Sequence, residues 1–62
     1  MAGEIQHRAR IDGLRNGRLD KLLGIRSEYV WFTSTSDPNE TVREYAKAYR
    51  YAWNDPKNKV GF

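Results

Sequence analysis

No cysteine occurs anywhere in this chain of 62 residues. No disulfide can staple it and no thiolate can hold a structural zinc, so its core alone must keep it folded. A chain this short buries only about 60% of the surface that its unfolded form exposes. Apolar residues make up 39% of the sequence, and 31% is charged. That leaves room for a single domain, residues 1–62, and none for two domains or a barrel enzyme. Eight aromatic side chains, from two Trp, four Tyr and two Phe, set the chain apart from disordered sequences.

The clearest element lies near the C-terminus. Asp37-Pro38-Asn39-Glu40 reads as a helix start, with Asp37 as N-cap and Pro38 at the first helical position, where its missing N–H costs nothing. Glu40 then stands at the position from which it reaches back to the cap. Val42, Tyr45, Ala46, Tyr49, Ala52 and Trp53 follow at steps of three and four, an apolar stripe along one helix face. Arg43, Lys47, Arg50 and Asn54 form a second face. Pro56 stops the element, because a residue before proline leaves the helical region. The pattern predicts a helix over 38–54.

Upstream, residues 28–35 (EYVWFTST) are aromatic and β-branched and read as a strand. In the first 26 residues, Ile5, His7, Ala9 and Ile11 alternate with polar neighbours, as in a strand. Asn16-Gly17 is a hairpin signal, since both positions of a type I′ turn need positive φ. Residues 19–23 read as a short helical turn closed by Gly24. The tail offers Val60 and Phe62 to a sheet edge or to the helix. The expected fold is therefore α+β: a short antiparallel β-sheet packed on one C-terminal amphipathic helix. The alternative is all-α with a helix-turn-helix.

That alternative rests on a resemblance. Leu19-Asp20-Lys21-Leu22-Leu23-Gly24-Ile25-Arg26-Ser27-Glu28-Tyr29-Val30 resembles the core of a helix-turn-helix over about a fifth of the chain. The resemblance implies a turn glycine at Gly24, a buried Ile25 and an anchoring Val30, with Arg26, Ser27 and Glu28 at a DNA groove. In outline the α+β order is also similar to small sheet-type DNA-binding modules such as integrase arm-binding domains.

Charge points the same way. Eleven Lys and Arg against eight Asp and Glu give +3, and residues 5–18 alone hold four Arg and one Asp, which is +3 within that stretch. Arg8, Arg10, Arg15, Arg18 and Arg26 are the candidate nucleic-acid-binding residues, reaching phosphates with their planar donor forks. Lys47, Arg50 and Tyr51, on the outer side of the C-terminal helix, are candidate partner-binding residues. The first functional expectation is a small non-enzymatic regulatory module that binds duplex DNA through its Arg-rich N-terminal half. The second is an inhibitor or adaptor of phage or mobile-element type that binds a host protein. A homodimer, enlarging a small core, is a third.

The sequence offers nothing catalytic. His7 is the one histidine, the serines lack a nucleophile elbow, and the aspartates are scattered. No metal site or cofactor is expected. The longest apolar run is four residues, Tyr29-Val30-Trp31-Phe32, far below the ~20 that span a bilayer. With no signal-peptide pattern either, a cytoplasmic location without membrane contact is the expectation.

Overall fold

The structure, a computed structural model, describes residues 2–33 and 36–57. Three helices account for its elements: α1 (Ala2–Leu23), α2 (Glu28–Trp31) and α3 (Glu40–Asn54). No strand occurs among the described residues. The α+β expectation is thus overturned, and the all-α alternative holds.

α1 and α3 lie side by side and run parallel. The contacts climb both helices together: Arg10 meets Glu44, Asn16 meets Tyr45, Asp20 meets Tyr49 and Lys21 meets Trp53. Parallel neighbours cannot be joined by a tight turn. The chain must travel back from Leu23 to the level of the second turn of α1, about 24 Å at 1.5 Å per residue. Residues 24–39 make that return, with α2 as a single turn on the way.

The contact itself is unusually close. Ala9, Gly13 and Gly17 recur every four residues, so they share one face of α1. All three are buried. A Cβ placed on Gly13 would fall against the carbonyl oxygen of Tyr45 and only 2.9 Å from the Ala48 Cβ. A Cβ on Gly17 would strike the carbonyl oxygen of Tyr49. The backbones therefore meet without side chains between them. The buried apolar side chains match that geometry: Ala9, Ala46, Ala48 and Ala52, with Tyr49 as the one large fully buried side chain among the described residues.

This contact explains why α1 is one helix instead of a strand or a hairpin. The alternation of Ile5, Ala9 and Ile11 with polar residues is real, yet the face that is buried repeats every four residues. Asn16-Gly17 is no turn; Gly17 is a contact residue, and Asn16 donates from Nδ2 to the Tyr45 hydroxyl at 2.6 Å. Gly24 does end α1, at φ 73°. Its N–H donates to the Lys21 carbonyl and that of Ile25 to the Asp20 carbonyl, at 3.1 and 2.9 Å, the bonding of a Schellman cap.

The expected strand 28–35 is helical over Glu28–Trp31, capped by the Ser27 side chain; Ser34 and Thr35 lie outside the described residues, as do Val60 and Phe62. Four residues of α2 make a shorter second helix than the helix-turn-helix resemblance implies, and Ile25 is 53% exposed where that resemblance has it buried. α3 ends at Asn54 as its sequence predicts, but it begins at Glu40 with Asn39 as N-cap. The Asn39 side chain accepts from the Val42 N–H, while Asp37 accepts from the Asn39 N–H, so Asp37 supports the cap one step removed.

Because the obstruction at Gly13 and Gly17 is backbone, no rotamer change can relieve it. Gly13→Ala and Gly17→Ala each gain about 1 kcal/mol of helix propensity, yet each must push the helices apart, at a typical cost of ~1–3 kcal/mol or more. Thermal melting followed by circular dichroism should show a lower Tm for both. Gly3→Ala, with open space around the added Cβ, should match or exceed the wild-type Tm.

Candidate functional site

The sequence offered five arginines as one basic patch. The structure distributes them. Arg10 Nη1 donates to Glu44 Oε1 at 2.9 Å, bridging α1 to α3. Arg26 lies over the Trp31 ring at 4.5 Å, at the end where both helices finish. Arg8 pairs loosely with Asp12 at 3.8 Å. Arg15 and Arg18 line one surface, with Arg8 two turns before Arg15 along the same side of α1. That surface is the side of α1 turned away from α3.

On this outer face Ile11, Leu14, Arg15, Arg18, Leu19 and Leu22 line a shallow groove of about 610 Å³. Ile11, Leu14, Leu19 and Leu22 are 36–50% exposed. The burial of α1 is thus inverted relative to an ordinary amphipathic helix: its small residues face inward and its large aliphatic ones face out. The reason is the close crossing, which admits only glycine and alanine on the inner face. Arg15 has no polar or ionic partner among the described residues, and no carboxylate lines this surface.

The second candidate set has a different character. Arg50 Nη1 donates to the carbonyl oxygens of Trp31 and Thr33, both at 2.9 Å. Arg43 donates to the carbonyl of Asp37. These two side chains hold the returning connection onto α3. Lys47 pairs with Glu44 at 3.6 Å. Tyr51 is 70% exposed beside Lys47 and Arg50, as the helix spacing implies.

A second groove was not visible in the sequence. It lies between the N-terminal halves of α1 and α3 and the connection, has a volume of about 590 Å³, and is mostly apolar. Ala9 and Ala46 form its buried floor, Val30, Val42 and Tyr45 its half-buried sides, and Ile5 and Tyr29 its exposed walls. Glu4, Arg8 and Asp12 edge it along α1. The signal for it was the every-fourth-residue repeat of small side chains from Ala9 to Gly17, which brings α3 alongside α1.

The polar centre of the bundle is Tyr49. Its hydroxyl donates to Asp20 Oδ2 at 2.5 Å and accepts from the Ser27 N–H at 2.8 Å. Burial, and then the neighbouring Asp20 carboxylate, push the phenol above its ordinary value of 10.0. At the far end, Trp53 Nε1 donates to the Ile25 carbonyl at 2.9 Å, and its ring meets Trp31 edge-on with centroids 5.2 Å apart. Lys21 sits 4.0 Å over the Trp53 ring.

No group of three metal-ligating side chains occurs among the described residues, and no helix there is long and apolar enough to cross a membrane. His7 is exposed. No protein-family model, curated protein or solved structure matches this chain.

Two measurements check these assignments. Arg50→Ala leaves two connection carbonyls without their charged donor. It should lower stability by about 2 kcal/mol, whereas Tyr51→Ala should leave stability within ~0.5 kcal/mol; chemical denaturation reads both. Tyr49 ionises only above its unfolded pKa, so its contribution is complete below pH 10 and is lost as pH rises through the raised folded value. Unfolding followed against pH should show an alkaline loss of stability that Tyr49→Phe removes. At neutral pH that variant should itself be destabilised by about 1–3 kcal/mol, because Asp20 and the Ser27 N–H lose their partner.

Proposed function

We propose that this chain is a non-enzymatic binding module whose outer α1 face docks an acidic amphipathic helix of a partner protein. The observation that carries this reading is the composition of that face. Four large aliphatic side chains stand exposed at helical spacing around Arg15 and Arg18, with no carboxylate among them. Scattered exposed leucines are ordinary, but a contiguous apolar strip rimmed by charge marks an interaction surface. A helix laid along such a strip buries its own apolar stripe, and its flanking Glu or Asp side chains meet the two guanidinium groups.

Charge also selects against two other occupants. A second copy of the same face, laid antiparallel about its middle, would set Arg15 against Arg18; laid parallel, it would set each arginine against itself. Duplex DNA would attract the arginines but would leave Ile11, Leu14, Leu19 and Leu22 against a charged backbone. Of the other arginines first assigned to nucleic acid, Arg10 bridges to Glu44 and Arg26 lies over Trp31, away from this face.

The test is fluorescence anisotropy with three labelled probes: a helical peptide with a leucine stripe flanked by glutamates, its lysine-flanked counterpart, and a duplex DNA. The acidic peptide should bind, and Arg15→Glu/Arg18→Glu should weaken that binding by about tenfold or more. Leu14→Ala/Leu22→Ala should weaken it similarly. Equal binding of both peptides, indifference to the charge reversal, or binding confined to duplex DNA would overturn the proposal.

A further inference from the structure

The groove between α1, α3 and the connection uses different residues from the outer α1 face. Its walls are unusual for a pocket that encloses a small ligand. Tyr29 and Ile5 line it yet remain 78% and 56% exposed. They stand up beside the groove as knobs while the alanine floor lies beneath. Knob and hole are therefore on one surface, the condition for a two-fold contact in which each copy inserts what the other receives.

The charges along the rim give the same answer. Glu4, Arg8 and Asp12 follow one another at steps of four on α1, alternating in sign. Glu4 has no ion pair among the described residues, and Arg8 is 80% exposed, held only by the 3.8 Å contact to Asp12. Two such edges laid antiparallel, centred near Gln6, bring Glu4 of each copy to Arg8 of the other. Ile5 then falls beside the centre of the contact, level with His7 of the other copy. Both ion pairs arise from the single two-fold operation.

We propose that this groove is the interface of a homodimer, formed by reciprocal insertion of Tyr29 and closed by two symmetric Glu4–Arg8 pairs. The dimer joins two modules whose buried apolar side chains, among the described residues, are four alanines and a tyrosine. It leaves Arg15, Arg18 and the leucines around them outside the contact.

Sedimentation equilibrium over a range of concentrations tests this directly. The wild-type chain should reach twice its 7.3 kDa mass. Glu4→Arg and Arg8→Glu should each weaken self-association by more than about tenfold, since each sets like charges together. The double variant Glu4→Arg/Arg8→Glu should restore it, because the exchanged pair is complementary again. Tyr29→Ala removes a side chain that little else in the monomer covers, so it should abolish the dimer while leaving helicity intact. Arg15→Glu/Arg18→Glu should leave the mass unchanged, which separates this interface from the partner-binding face. A wild-type chain that stays at 7.3 kDa, a double variant that fails to recover, or a Tyr29→Ala chain that still doubles its mass would each overturn the proposal.

Discussion

The backbone-to-backbone approach of α1 to α3 at Gly13 and Gly17 sets the rest of the molecule. Two helices in contact through glycine come closer than the 8–10 Å usual for packed helices with side chains between them. At that distance alanine suffices for much of the buried face, and Tyr49 can lie across the seam. Its hydroxyl then reaches Asp20 on α1 and the Ser27 N–H on the connection at once. One side chain thereby ties the three parts of the chain. The glycines carry an entropic cost within a helix, so their placement is intelligible only from the contact that they allow.

The parallel course of the two helices has its own consequences. It forces a return path as long as the packed part of α1, and that path must be fastened. Arg43 and Arg50 hold its carbonyls, Trp53 holds the carbonyl of Ile25, and Trp31 packs on the edge of Trp53. Both N-termini lie at one end, where Glu4 and Glu40 stand in the first turns and complement the helix dipoles. Glu44 shows how the pair is held near that end. The hydrogen bond from Arg10, with Lys47 beside it, keeps its carboxyl below the ordinary 4.5. Its contribution is present above that value and is lost as pH falls through the lowered one.

α3 was legible in the sequence because its buried face is written in residues large enough to register: Tyr45, Tyr49 and Trp53 among alanines. Its end at Asn54 and the glycine stop at Gly24 were legible for the same reason, since proline and positive-φ glycine act locally. α1 was not. A periodic search follows the big apolar residues, and on α1 these point away from the core. The glycines that make the core are the residues that ordinarily announce turns. The aromatic run from Tyr29 to Phe32 read as a strand because β propensity reflects packing on a sheet, and no sheet occurs among the described residues for it to join. Of the candidate functional residues, exposed Tyr51 was placed correctly. The partners of Arg8, Arg10 and Arg26 could not be read from the sequence until Asp12, Glu44 and Trp31 were located beside them.

The functional account grows from the same crossing. Because glycine and alanine occupy the inner face of α1, its aliphatic residues are displaced to the outer face and flank Arg15 and Arg18. Because the connection returns alongside, a groove opens between it and the helices. The binding surface and the self-association surface are thus two products of one parallel, close-packed pair. Nuclear Overhauser contacts in solution test that pairing most directly. The structure predicts cross-peaks from the Gly13 Hα protons to the Ala48 methyl group and from the Gly17 Hα protons to Tyr49. Their absence, together with cross-peaks joining Ala9 to Ala52 as in an antiparallel hairpin, would contradict it.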